Sequence, residues 1–222
     1  LPERFKPQRR IAAEDLPQGA DKLAMLSRSI AAFMDGGYVY VGMDHFALPE
    51  DSLAVAKRQG RLHRNFQGYS TQPDCDLIAL GVSAIGKVGA SYSQNAKTLE
   101  EYYDAIDASH LPVVRGLALS RDDLVRRAVI MAIMCQGAVL FEPMEQAWLL
   151  GFREYFAPEM AALEDLQAKG LVQISDEGFQ VTPMGWYFVR GVAMLFDRYL
   201  QADKNRARFS SCLLYTSPSP RD

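Results

Sequence analysis

The chain has 222 residues, 49% of them hydrophobic and 23% charged, with a formal net charge of -3. That composition suits one large or two small globular domains. It excludes the strongly basic surface that nucleic acid or an anionic membrane demands, and no apolar run is long enough to span a bilayer.

Leu1 to Arg10 begins without Met and reads as an internal loop of something longer. No N-terminal signal pattern is visible, so a cytoplasmic protein is expected. Leu23, Leu26, Ile30 and Phe33 then recur at helical spacing, and Gly36-Gly37 stops that helix. Tyr38 to Met43, rich in β-branched and aromatic residues, follows as a strand. Helix, glycine stop and strand read as half of a βα repeat. Asp44 and His45 would then stand at the carboxyl end of the strand, where α/β folds gather ligands. Pro49-Glu50-Asp51 opens a short helix to about Arg58, and Gly60 closes it.

The next stretch, His63 to Gln72, is the densest in chemistry. It packs donors, acceptors and aromatic faces into ten residues, has no helical period and no strict alternation, and so reads as an ordered loop. Gly68 allows close backbone approach, which favours a binding site over a merely solvated loop. Leu77 to Val82 reads as another strand. Gly81, Gly86 and Gly89 after it fit neither a dinucleotide fingerprint nor a P-loop. Thr98 and Glu101 form a capping box for a helix to Ala108, and Pro112 ends the region.

Beyond residue 112 the texture changes. Ser120 to Asp123 is a second capping box, opening a helix to about Cys135. Further helices start at Pro143 and run from Ala157 to Lys169. Leu171–Ile174 and Phe179–Val181 flank a hairpin turn. Thr182-Pro183 caps a last helix to about Leu200. Helices, a hairpin and a closing helix make a winged-helix-like module. Its acids (Glu142, Glu145, Glu154, Glu159) deny it the basic face that DNA reading needs, which leaves a packing or lid role. Trp148 and Trp186 are expected to pack within it. Residues 211–222 lack periodicity and read as a non-native tail. The cysteines, Cys75, Cys135 and Cys212, are odd in number and in no metal-ligand spacing, and Cys135 lies in an apolar run that suggests a buried thiol. The expected division is therefore 1–112, 113–210 and the 211–222 tail.

Three blocks in order, Gly42 to Phe46, His63 to Tyr69 and Gly81 to Ile85, resemble successive segments of the oxygen-independent coproporphyrinogen III oxidases. These are radical S-adenosylmethionine (SAM) enzymes of haem biosynthesis. The similarity runs on through Arg115-Gly116 and Ser120 to Asp123, to about residue 210. It implies an α/β chain: the C-terminal strands and helices of a partial radical SAM (β/α) barrel, plus an α+β winged-helix-like C-terminal domain. The implied reaction is oxidative decarboxylation of two propionates of coproporphyrinogen III to vinyl groups, using SAM, a 4Fe-4S cluster and an electron acceptor. The implied protein is a cytoplasmic monomer that binds neither nucleic acid nor membrane. The family's cluster motif, CxxxCxxC, is absent here, as is the N-terminal half that carries it. This chain alone is expected to be inactive and, with barrel edges bare, prone to aggregate.

By the same resemblance Ile85, Phe66 and Gln67 match positions that contact SAM. Asp44, His45, His63 and Arg64 are candidates for substrate or other polar contacts, arginine being suited to a propionate. Plainer roles stand beside these. Ile85 and Phe66 could be core, Gln67 could satisfy loop backbone, and Asp44 with His45 could be a structural pair. A second reading of the whole chain is a non-catalytic haem-binding protein or a winged-helix interaction module.

Overall fold

Capping chemistry sets most helix starts in the computed structural model, which describes residues 10–202. The expectations for the extreme N-terminus and for the 211–222 tail lie outside the described residues. In α1 (Gly19–Asp35) the Asp21 carboxylate accepts from the Gln18 backbone N–H at 3.2 Å. Asp51 does the same for α2 (Ser52–Arg58), accepting from Leu53 N at 2.8 Å.

Strand β1 (Val39–Gly42) does not lead into a βα crossover. It turns straight back into β2 (His45–Ala47), pairing Val39 with Ala47 and Tyr40 with Phe46 antiparallel. The reversal needs unusual backbone at Gly42 (φ 154°) and Met43 (φ 55°). A Cβ at position 42 would also overlap the Tyr69 hydroxyl, so glycine is required twice over. Asp44 is thus a hairpin-turn residue and His45 starts the returning strand. This corrects their expected place at the mouth of a parallel sheet.

The segment read as a loop is a second tight hairpin, β3 (His63–Asn65) against β4 (Gly68–Ser70). Leu77–Val82 is not a strand. It makes a single bridge, Leu77 to Lys87, while Asn95 donates its side-chain amide to Ala79 O at 3.2 Å and Gly81 O at 3.0 Å. Those carbonyls are satisfied by a side chain instead of a ladder. The strands here are β5 (Ile85–Val88), β6 (Ser91–Asn95) and β7 (Val113–Ala118), an antiparallel sheet in the order β5-β6-β7. Helix α3 (Leu99–Asp107) lies between β6 and β7 in sequence and starts at Thr98 as expected.

The C-terminal half follows its expected plan with more strand. Helix α4 (Arg121–Gln136) opens on the Ser120–Asp123 capping box and ends at Gly137 in the left-handed region (φ 70°), where a Cβ would overlap the Trp186 ring. A short strand, β8 (Ala138–Leu140), precedes α5 (Phe141–Trp148), α6 (Phe152–Tyr155) and α7 (Ala157–Ala168). It joins the β9 (Val172–Ile174) and β10 (Gly178–Val181) hairpin in the order β8-β10-β9. The closing helix is broken in three. A 3-10 turn over Gly185–Phe188 leads to α8 (Val189–Met194), and Asp197 then accepts from Tyr199 N and Leu200 N to start α9 (Arg198–Ala202).

Two hydrophobic clusters meet on α4. The larger holds Val129 and Ile133 of α4 with Phe152, Phe156, Leu163, Phe179 and Phe196. The smaller holds Val41, Ala54, Leu62 and Tyr69, and Cys135 of α4 closes it. Trp186, expected inside the C-terminal module, also reaches outside it. Its ring lies edge-on to Tyr40 and 4.6 Å from the Lys57 ammonium, which donates to the carbonyls of Tyr40 and Val41.

Strand β7 is an edge on which all six residues are exposed, with Val114 58% accessible. An unpaired, apolar edge templates self-association. The isolated chain is therefore expected to self-associate, and Val114→Lys to shift it toward monomer in sedimentation velocity. A wild-type chain that stays monomeric throughout the micromolar range would contradict this.

Candidate functional site

The β3–β4 hairpin is built from its turn outward. Asn65 Oδ1 accepts from Gln67 N at 2.9 Å, an Asx turn that fixes the Asn65-Phe66-Gln67-Gly68 reversal. The register sets Arg64 opposite Tyr69, with the guanidinium carbon 4.9 Å above the tyrosine ring. Tyr69 is buried, and its hydroxyl donates to Met134 O at 2.8 Å, near the end of α4. Burial raises the Tyr69 pKa well above the ordinary phenol value, and the Arg64 charge opposes this only in part. His45 packs edge-on against the same ring at 5.1 Å. Asp44 Oδ1 stands 2.9 Å from His45 Nδ1, a close approach without the alignment of a hydrogen bond.

The turn carries Phe66 and Gln67 outward. Phe66 is 50% exposed and meets Tyr92 of β6 edge-on at 5.2 Å, and Gln67 is exposed. Ile85 stands opposite Gln94, and Lys87 opposite Tyr92, across β5 and β6. Residues directly opposite share a sheet face, and the face alternates along a strand. Half-buried Ile85 is therefore on the face that presents Tyr92 to Phe66.

An ionic clamp fixes Tyr92. Its hydroxyl accepts from Arg127 Nε at 2.8 Å, and Arg127 also grips Asp74 through two bonds of 2.7 Å. Lys87 adds a third donor to Asp74 at 2.6 Å. The hydrogen bond from Arg127 is the main reason the Asp74 carboxyl is held down to about 2. Arg127 thus ties the strand carrying Tyr92 to α4.

Between the hairpin, α4 and α8–α9 lies a cavity of about 610 Å³. It is lined by His63, Arg64 and Phe66 among the anticipated residues, and by Tyr92, Arg127 and Asp74, which the sequence reading missed. Gln67, Ile85, Asp44 and His45 lie outside it. The missed residues gave no local signal, since Arg127 and Asp74 are 53 positions apart. Among the described residues no three His, Cys, Asp or Glu side chains are grouped to hold a metal. Cys75 is exposed, and burial raises the Cys135 thiol to about 11. These residues do not fit a 4Fe-4S cluster, which needs several converging thiolates. The half-exposed ring of Phe66 and the exposed side chain of Gln67 are of the chemical types that suit an adenine and an amino-acid group.

Two expected outcomes follow. Tyr69→Phe strands the Met134 carbonyl and should cost about 1–2 kcal/mol in urea unfolding; an unchanged midpoint would contradict the clamp. Asp74 has a folded pKa below its unfolded one, so its stabilisation is present above about pH 4 and lost as pH falls toward 2. With its side chain 48% exposed, screening leaves roughly 1 kcal/mol of that. Asp74→Asn should therefore lower stability at pH 7 and flatten its decline from pH 4 to pH 2, measured by denaturant titration at each pH.

Comparison with known proteins follows the same lines. Residues 119–188 match the HemN C-terminal domain family. The chain is 49% identical over 210 residues to an oxygen-independent coproporphyrinogen III oxidase of Pseudomonas aeruginosa, covering 95% of this chain and 45% of that protein. The Escherichia coli enzyme of that name is 45% identical over 210 residues, covering 95% and 46%. A solved structure of E. coli coproporphyrinogen III oxidase (HemN), described as a radical SAM enzyme, superposes with a TM-score of 0.85 at 47% identity, covering 90% of this chain and 46% of that one. The chain spans about half the length of these relatives. Residues 119–188 thus carry a HemN C-terminal domain, and the chain as a whole is similar to the C-terminal part of oxygen-independent coproporphyrinogen III oxidases.

Proposed function

We infer that this chain is the C-terminal part of a radical SAM enzyme that converts coproporphyrinogen III to protoporphyrinogen IX in haem biosynthesis. The observation that carries the reading is the similarity over 95% of the chain to enzymes so named, at 45% to 49% identity. The haem-binding or interaction-module alternative has no comparable support.

In this reading Phe66 and Gln67 form one wall of a SAM site and Ile85 flanks it on the adjoining sheet face. Phe66 offers a ring for adenine, held by Tyr92, and Gln67 an amide for the amino-acid group. SAM bound there would supply the hydrogen-abstracting radical. The residues of this chain bind and orient it. Arg64 and His63 face the cavity and are assigned to the substrate's carboxylates. His45 acts one layer behind, packed edge-on against the Tyr69 ring, with Asp44 beside it at the hairpin turn. The cluster would be held by residues outside this chain. The boundary near residue 112, cytoplasmic residence, a monomeric full-length enzyme and a separate electron acceptor belong to the same proposal. Among the described residues no helix is long and apolar enough to cross a membrane.

The test is a chimera joining the N-terminal part of the E. coli relative to residues 1–210 of this chain. After anaerobic cluster reconstitution it is expected to form protoporphyrinogen IX from coproporphyrinogen III. Phe66→Ala should raise the KM for SAM by about tenfold, the scale of one lost stacking contact. A chimera that folds, holds its cluster and binds SAM yet makes no product would overturn the reading.

A further inference from the structure

One face of the β5-β6-β7 sheet carries chemistry that the cavity does not use. Directly opposed residues run across it in rows, because a ladder keeps partners on the same face. Lys87, Tyr92 and Leu117 make one row, and all three line the cavity. The next row on that face is Ile85, Gln94 and Arg115, one residue from each strand, and it lies outside the cavity wall.

Gln94, the centre of the row, is only 4% exposed. Both ends of its amide are engaged. Its Nε2 donates to Ser83 O at 3.2 Å, and its Oε1 accepts from Arg115 Nε at 2.8 Å. One orientation of the amide makes both bonds, so the two contacts fix it. Ser83 presents its carbonyl from left-handed backbone (φ 57°), a conformation that costs a non-glycine residue free energy. An apolar residue at position 94 would fill the same space with no polar group to satisfy. What the amide adds is a fixed position for the Arg115 guanidinium.

Arg115 itself is exposed, so a ligand can reach it. Gln94 is neutral, and its grip leaves the arginine its charge. Holding a long side chain in advance removes that ordering cost from ligand binding. A guanidinium matches a carboxylate in both charge and planar shape. Neighbouring strands lie about 4.8 Å apart, which sets Ile85 and Arg115 about 10 Å from each other across the row. A ligand with a flat ring and an acidic arm can bridge that separation.

We propose that Arg115, positioned by Gln94, is a carboxylate-binding residue on the sheet face that carries Ile85. The assignment rests on the preceding section's reading for the ligands that enter there. Two of those bear carboxylates: SAM on its amino-acid arm, and the porphyrinogen on its side chains. Arg115 touches the acid, and Gln94 acts through Arg115.

Four probes titrated into the full chain separate the two sources. S-adenosylhomocysteine keeps the amino-acid arm, and 5'-methylthioadenosine lacks it. Coproporphyrin III keeps the acids, and its tetramethyl ester lacks them. Calorimetry reads the nucleosides and fluorescence anisotropy the porphyrins. At least one acid-bearing probe is expected to bind saturably. It should lose about tenfold in affinity in Arg115→Met, the scale of one charge-assisted hydrogen bond, and recover in part in Arg115→Lys. Gln94→Met should weaken the same probe by a smaller factor, while the acid-free counterpart binds all variants alike. A loss confined to S-adenosylhomocysteine assigns Arg115 to SAM, one confined to coproporphyrin III assigns it to the substrate, and a loss for both places it within reach of both. Circular dichroism confirms folding; if Gln94→Met fails to fold, the variants of the exposed Arg115 decide. No binding of either acid, equal affinity in wild type and the Arg115 variants, or equal losses for acid and acid-free probes would overturn the proposal. An active chimera with no Arg115-dependent binding sinks this site and leaves the enzymatic reading intact. Arg115-dependent binding with an inactive chimera does the reverse.

Discussion

Everything at the candidate site depends on one helix being shared by two cores. Helix α4 sends Val129 and Ile133 into the C-terminal cluster and Cys135 into the cluster beneath the β1–β2 and β3–β4 hairpins. A two-stranded hairpin is at best marginally stable alone in water. What holds β3–β4 in place is the Tyr69 side chain, buried against α4 with its hydroxyl bonded to Met134 O. Arg64 and Phe66 inherit their positions from that anchor, one across the ladder and one at the turn.

Charge reinforces the arrangement along the first half of α4. Near its start Asp122 and Asp123 gather Arg126, Arg198, Ser120 and Tyr155, which binds α9 and the α6–α7 corner to the helix. Burial would raise both carboxyls, yet the surrounding hydrogen bonds and arginine charges hold them below their ordinary values. One turn on, Arg127 takes Asp74 and Tyr92. Adjacent arginines thus tie α4 to different parts of the chain, and the cavity is the space these ties enclose.

Local chemistry was legible where it acts over a few residues. The Ser120–Asp123 box, the Thr98 cap, the Gly36-Gly37 stop and the β9–β10 hairpin all stand where spacing places them. The errors came where two local codes compete. Tyr38–Met43 has the composition of a parallel strand, but Gly42 and Met43 take turn backbone, so it reverses at once. Leu77–Val82 is apolar enough for a strand, yet Ile78 and Leu80 are 76% and 83% exposed and Asn95 takes the carbonyls that a ladder would use. His63–Gln72 hid a hairpin because each strand is three residues long, too short for alternation to register. Of the site, His63, Arg64 and Phe66 were visible as types in a pattern. Tyr92, Asp74 and Arg127 were not, because contacts between distant residues leave no mark on local spacing.

The account stands or falls on the hairpin being stabilised through α4 instead of by its own turn. Native-state hydrogen exchange measures this directly, residue by residue. If α4 holds the site, the protected amides of the β3–β4 hairpin will open with the same free energy as those around Val129 and Ile133 in α4, and Tyr69→Phe will lower the hairpin value first. Hairpin amides that exchange freely while α4 stays protected would contradict the account.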